Sequence, residues 1–316
     1  MEPKIEKFEF LTLSHYMQQQ TLPVLTEKII NLSDLIGIKF PIVIAGGQNN
    51  YNLFRVQRKQ KKSREIFAPC DELKNVQQAI LQKILLNAAP HPAATAFYRG
   101  NSIFINARQH HRCVYLYKTD IRNFFSSITS DVVRSVIKSR FQNIAWQVID
   151  EIVQLVTLNG VLPLGAPTSP HLSNLALFEF DDRVYRTCQK IGARYTRYAD
   201  DISVSANDMQ AIEIVIDVIE KGFLELGMSQ HPAKTRIFGP NANKTVTGLD
   251  VSGSTIRPPR NYRKKTASLV RMCEIYPERM KRHIYRVLGH LSHWHGVSPN
   301  DPELQQLEQR MKVIQR

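Results

Sequence analysis

The sequence predicts an α+β fold, with an antiparallel hairpin at its centre and helices packed behind it. Three observations carry that expectation. Residues 22–36 and 73–86 place apolar side chains at the three-four step of a helix with one buried face. Residues 194–205, RYTRYADDISVS, read as two strands around a tight Ala-Asp-Asp turn. Residues 113–119, CVYLYKT, read as a short buried strand that ends at Asp120.

In chain order, the helix over 22–36 comes first. A strand-turn-strand follows, rich in Lys and Arg and bounded by Gly46-Gly47 and Pro69. Leu73, Val76, Ile80, Leu81, Ile84 and Leu85 then form the buried stripe of the next helix. Beyond the strand at 113–119, helices are expected near 130–141 and 144–158. Residues 160–169, GVLPLGAPTS, form a loop, and a helix begins at Pro170 or just after it. A helix over 208–226 follows the hairpin, then strands near 234–238 and 244–251. The last 60 or so residues read as helical and basic. No repeat or Gly/Ser/Pro-rich linker divides the chain. With 316 residues, 43% of them hydrophobic, it can bury a sizeable core, which excludes intrinsic disorder as its main state.

The formal charge of +14 is concentrated in two places. Residues 55–64 hold six Lys or Arg and no acid. Residues 257–286 hold ten against Glu274 and Glu278. Two basic patches on an otherwise balanced body suit a polyanion, and the alternative is a pair of solvated faces. Cys70, Cys113, Cys188 and Cys273 form no CxxC pair, so neither a disulfide framework nor a zinc knuckle is indicated. The N-terminus has no signal-peptide core, and no apolar run approaches the ~20 residues that span a bilayer. A reduced, cytoplasmic, soluble protein with no membrane partner is expected.

Asp200 and Asp201 are adjacent acids on a turn flanked by apolar or small residues. Their mutual repulsion and desolvation call for a counter-charge. Two divalent cations supply it in sites of in-line nucleotidyl transfer, and Mg²⁺ suits an oxygen-only ligand set. Asp120 is the third candidate ligand. The plainer alternative is an ordinary surface turn.

The context of those acids resembles a family. Tyr198-Ala199-Asp200-Asp201 matches the YxDD box of reverse transcriptases. Asp120 to Phe125, DIRNFF, matches their first carboxylate motif, an acid followed by paired aromatics. Residues 162–170, LPLGAPTSP, resemble their LPQGxxxSP box, with Leu164 where Gln is usual. The three motifs stand in the family's order. The resemblance implies a right-hand polymerase: fingers over 1–112 plus the helices after Asp120, a palm with an antiparallel sheet over 113–254, and a helical, basic thumb over 255–316. It implies Asp120, Asp200 and Asp201 as catalytic and metal ligands for two Mg²⁺ ions. Arg64, with Lys61 or Lys62, would grip the dNTP triphosphate. Gly165 would line the nucleotide pocket. Phe125 would exclude a ribose 2′-OH, although Phe124 or Phe125 must also serve the core. Lys234 would lie near the leaving pyrophosphate, or be a surface lysine.

Two shorter elements narrow the resemblance to retron reverse transcriptases. Asn106 to His110, NARQH, fits their NAxxH element, and Val246-Thr247-Gly248 fits their VTG element. Both imply contacts with RNA, as do Arg263, Lys264 and Lys265 in the thumb. His110 has the alternative of capping local backbone. His290, His293 and His295 around Trp294 read as stacking contacts to RNA bases rather than as a metal site. The resemblance implies a cognate noncoding RNA as primer and template, with a guanosine 2′-OH starting synthesis. It also implies dNTP substrates, a branched msDNA product, and a role in phage defence beside a separate effector protein. The alternatives are a group II intron-like reverse transcriptase and an RNA-binding scaffold that has lost polymerisation.

Overall fold

A computed structural model describes residues 31–40, 50–58 and 61–314, without the side chains of Arg58, Lys61 and Lys62. The chain divides into two compact units. One runs through His91 and resumes over Asn123–Glu179; the other comprises Pro92–Arg122 and Phe180–Arg316. This division differs from the boundaries at 112 and 254 drawn from the sequence. Residues 92–112 group with the central sheet, and the C-terminal helices share its unit.

In the first unit, β1 (Tyr51–Arg58) and β2 (Lys61–Pro69) pair as an antiparallel hairpin. Leu53, Phe54 and Val56 are all exposed, so neither face of the hairpin is covered along that stretch. Of the helix expected over 22–36, only Leu32–Ile36 is seen, capped by the Asn31 side chain accepting the Ser33 N–H; residues 22–30 lie outside the described residues. The next helix, Asp71–Lys83, buries Leu73, Val76 and Ile80 and ends in a 3₁₀ turn over Leu85–Asn87. Its Gln77 amide donates to the Leu155 carbonyl at 2.7 Å and so ties it to the helix Trp146–Val156. Helix Ser130–Arg140 begins at Thr129, whose hydroxyl accepts the Val132 N–H. Helix Ser169–Ala176 starts one residue before Pro170, which needs no N–H in a first turn.

The second unit is built on a four-stranded antiparallel sheet. Its strands are β3 (Tyr115–Asp120), β4 (Arg194–Tyr198), β5 (Asp201–Ala206) and β6 (Arg236–Phe238), in the order β4-β5-β3-β6. Helix Met209–Glu225 follows β5 and buries Ile212, Val215, Ile219 and Phe223. Phe180 of helix Phe178–Lys190 stacks on Phe223 with ring centroids 5.2 Å apart.

Two strand expectations need correction. Pro232 starts a 3₁₀ turn through Lys234, so that lysine precedes β6 rather than lying in it. Residues 244–251 are no single strand. They form a small hairpin, β7 (Thr245–Val246) and β8 (Leu249–Asp250), because Thr247 and Gly248 both adopt positive φ and reverse the chain.

The C-terminal helices Arg260–Ile275, Ile284–Val297 and Pro302–Ile314 enclose a core of Val270, Cys273, Val287, Leu291, Trp294, Leu304, Leu307 and Met311. Among the described residues no helix is long and apolar enough to cross a membrane.

Candidate active site

Strand register brings the three acids together. Asp120 at the end of β3 is the direct partner of Asp201 at the start of β5. Asp200 lies in the two-residue turn between β4 and β5, and its carbonyl accepts the Ile121 N–H at 2.9 Å. The chain beyond β3 is also fixed. The His231 N–H donates to the Asp120 carbonyl at 2.8 Å, and the Arg122 N–H donates to the Ser229 carbonyl at 2.9 Å. These bonds aim the 3₁₀ turn at the site and deliver Lys234, whose ammonium donates to Asp120 Oδ2 at 2.6 Å.

Lys118, two residues before Asp120, donates to Asp201 Oδ2 at 3.2 Å and is largely covered. It was not among the residues picked from the sequence. Its signal was alternation: residues 118 and 120 of one strand share a face.

The Asp200 and Asp201 carboxyls are held above their ordinary range. Burial raises Asp200 first and the Asp120 charge second; burial also raises Asp201, while Lys118 pulls it back. Among the described residues no three His, Cys, Asp or Glu side chains are grouped so as to hold a metal ion as they stand, and lysine ammoniums hold two of the three acids. Partly buried carboxylates in surplus, with oxygen donors only, nevertheless fit divalent cations.

The first unit carries the nucleotide candidates other than Lys234. Arg64 is exposed on β2, while the Lys62 side chain, and that of Lys61, lies outside the described residues. Phe124 is core at 5% exposure, and Phe125 against it is only partly covered. Gly165 packs against β2 so closely that a Cβ there would stand 2.6 Å from the Phe67 carbonyl oxygen. That close backbone approach leaves no room for a side chain at residue 165.

The expected RNA contacts divide. Asn106 and His110 lie one turn apart on and just after helix Ile103–Arg108, a spacing that puts both on one face. That face is interior: Asn106, His110 and Val246 are all buried. The His110 ring nitrogens bond Ser205 of β5 and Thr196 of β4, each at 2.8 Å. Asn106 accepts from Thr95 at 2.7 Å and donates to Thr247 at 3.4 Å. Thr247 in turn donates to the Ile103 carbonyl. Direct RNA contact through Asn106, His110 and Val246 is therefore replaced by a structural role, stitching the small hairpin and the helix to the sheet. Gly248 remains exposed.

In the C-terminal helices, Lys264 and Lys265 face solvent, but Arg263 turns inward to Glu303 and the Pro258 carbonyl. Trp294 is fully buried, with its indole N–H on Asp301, and cannot stack on a base. His290 and His293 pack on the Tyr262 ring, and His295 pairs with Glu308.

His110 makes a direct test of the stitching. Burial, then the charges of Arg194 and Lys118, push its pKa down to about 3, so the folded protein holds it neutral. As pH falls below the ordinary value of 6.5, only the unfolded chain takes up the proton, and stability should fall toward acid. Replacing His110 with Ala leaves two buried hydroxyls short of a partner and a cavity. We expect a loss of roughly 2–4 kcal/mol in denaturant unfolding, with a flatter acid limb. Wild-type stability in H110A would place the ring outside the core.

A family profile described as reverse transcriptase (RNA-dependent DNA polymerase) matches residues 56–290. Over 205 residues the chain is 32% identical to the Retron Ec86 reverse transcriptase of Escherichia coli, covering 64% of this chain and 63% of that one. Over 270 residues it is 28% identical to the Retron Mx65 reverse transcriptase of Myxococcus xanthus, covering 80% and 63%. The chain thus spans less than two thirds of the length of these relatives. A solved structure of telomerase from Candida albicans, in complex with a fragment of telomeric RNA, superposes with a TM-score of 0.51 at 11% identity, covering 88% of this chain and 56% of that one. Apo telomerase from Candida tropicalis gives 0.51 at 12%, covering 68% and 56%. These likenesses show the fold, the right-hand polymerase expected from the sequence, with the four-stranded sheet as its palm. The chain belongs to the reverse transcriptase (RNA-dependent DNA polymerase) family.

Proposed function

We propose that this protein is an RNA-directed DNA polymerase of the retron kind, with Asp120, Asp200 and Asp201 as its catalytic carboxylates. The observation that supports this reading most is the Asp120–Asp201 register, with Asp200 held in the adjoining turn. The three acids would hold Mg²⁺. When bound there, the metal would supply positive charge that lowers the pKa of an attacking hydroxyl and offsets the charge of departing pyrophosphate.

The chain's own groups do the rest by position and charge. Lys234 is half exposed and now neutralises Asp120; freed from that acid, its ammonium is a donor for a leaving phosphate. Arg64 and Lys62 of the β1–β2 hairpin grip the triphosphate. Phe125 excludes a nucleotide 2′-OH, and the Gly165 loop braces β2 at Ile66 and Phe67. Lys264 and Lys265, with exposed Arg260, Arg271 and Arg286, hold the template–primer by its phosphates, a grip that weakens steeply with salt.

The partner is a noncoding RNA that primes from a guanosine 2′-OH and serves as template, giving msDNA. A separate effector protein and a defence role follow from the retron reading.

The test is to purify the protein with the RNA encoded beside its gene and supply dNTPs and Mg²⁺. Branched RNA–DNA is the expected product, absent without the metal. Linear cDNA alone would favour an intron-like enzyme. Tight RNA binding with no DNA from any template would leave an RNA-binding scaffold.

A further inference from the structure

The turn that carries Asp200 is mounted on a wholly buried ion pair. Arg197 of β4 and Asp181 of helix Phe178–Lys190 are each 0% exposed. The guanidinium meets the carboxylate as a fork, Nε to Oδ1 at 2.8 Å and Nη2 to Oδ2 at 2.5 Å. The Tyr195 hydroxyl adds a bond to Oδ1 at 2.6 Å. With the fork satisfied, Nη1 is aimed at the Ala199 carbonyl, 3.1 Å away.

Ala199 needs such a hold. Its φ is 57°, left-handed backbone that disfavours a residue with a Cβ and persists only where its surroundings over-determine it. Asp200 comes next, and its own carbonyl is held by Ile121. The two carbonyls flanking the Asp200 Cα are thus both pinned, which fixes where its side chain points. Arg197 is itself immobile: its N–H donates to the Ala93 carbonyl and its carbonyl accepts the Thr95 N–H, both at 2.8 Å.

A buried ion pair of this kind adds little net stability over apolar side chains of similar volume. What it supplies here is direction. We propose that Arg197 and Asp181 are positioning residues that set the Ala199-Asp200 backbone, and through it the aim of the Asp200 and Asp201 carboxylates. The proposal rests on the polymerase reading above.

Single loss of Asp181 would strand a buried charge and unfold the region, so the test uses balanced changes. One is Arg197→Met with Asp181→Leu. The other is Arg197→Lys, which keeps the charge but gives up the planar fork and its spare donor. Full-length protein is assayed on poly(rA)/oligo(dT) with dTTP and Mg²⁺, and Mn²⁺ binding to the protein alone is measured by calorimetry.

In both variants kcat should fall ~10- to 100-fold while KM for dTTP moves less than ~3-fold. Half-maximal Mg²⁺ should rise, Mn²⁺ affinity should drop, and duplex binding should hold. A merely structural pair would leave the metal dependence alone. Wild-type kcat and metal midpoint in a folded variant overturn the proposal. Should the double variant not fold, Arg197→Lys decides. If the wild type makes no DNA on this template or on the RNA encoded beside its gene, the polymerase reading fails separately, and equal Mn²⁺ affinity in wild type and Arg197→Lys overturns the positioning role as well.

Discussion

Asp200→Asn should lower DNA synthesis by at least ~10³-fold, the scale of losing a pre-organised transition-state contact, while the metal-free protein melts higher than wild type. The two effects have one cause. Burial, and then the Asp120 charge, hold the Asp200 carboxyl above its ordinary range. A carboxyl raised in the folded state weakens that state wherever it is ionised; the penalty shrinks as pH falls through the raised value and is gone below the ordinary value of 3.8. A neutral amide of the same shape removes the penalty at every pH. A gain of ~1–3 °C is the scale expected for a modest change in a chain of this size. Mg²⁺ should stabilise wild type by mass action and leave Asp200→Asn unmoved. Thermal melts with and without Mg²⁺, beside primer extension, check both limbs. A variant that melts lower and still makes DNA would mean that Asp200 is an ordinary turn residue.

That the acids meet was legible because it follows from local pattern. A strand ending in Asp120 and a hairpin turning at Asp200 need only pair to converge, and β3 lies beside β5. Where the reading failed, the cause was tertiary. Asn106 and His110 sit at a spacing that suits a recognition face, but the same spacing suits a face packed on a sheet, and the bonds to Thr95, Thr196 and Ser205 show the latter. Trp294 among three histidines looked like a surface platform. Yet Val287, Leu291, Trp294 and Val297 follow the three-four step of a buried stripe, a signal present in the sequence and overlooked. Thr247 breaks the strand expected over 244–251 by taking a φ of 45°, which a β-branched residue rarely adopts and no propensity would indicate. The Arg197–Asp181 pair joins a strand to a helix 16 residues away. Its only trace in the sequence is an arginine set among Tyr195, Thr196 and Tyr198 in a strand leading to the acids.

Gly165→Ala should cost about 2–3 kcal/mol and, with it, most of the polymerase activity. Two effects act at one atom. Gly165 has a φ of +130°, which a residue with a Cβ resists. The added Cβ would also lie 2.6 Å from the Phe67 carbonyl oxygen and 2.9 Å from the Ile66 methyl. Neither is the free end of a flexible side chain, so the loop must leave the strand. The bond it would break is the Phe67 N–H to the Leu164 carbonyl at 2.8 Å, which ties the loop to β2. β2 also carries Arg64 and Lys62, so a displaced loop loosens the strand proposed to grip the triphosphate. The loss should therefore appear as a raised KM for dNTP as well as a lower kcat, unlike the nearly pure kcat loss expected at Arg197. Denaturant melts and dTTP titrations on poly(rA)/oligo(dT) separate the two. A wild-type melt and an unchanged KM in Gly165→Ala would show that the loop tolerates a side chain there, and that its hold on β2 has no part in nucleotide binding.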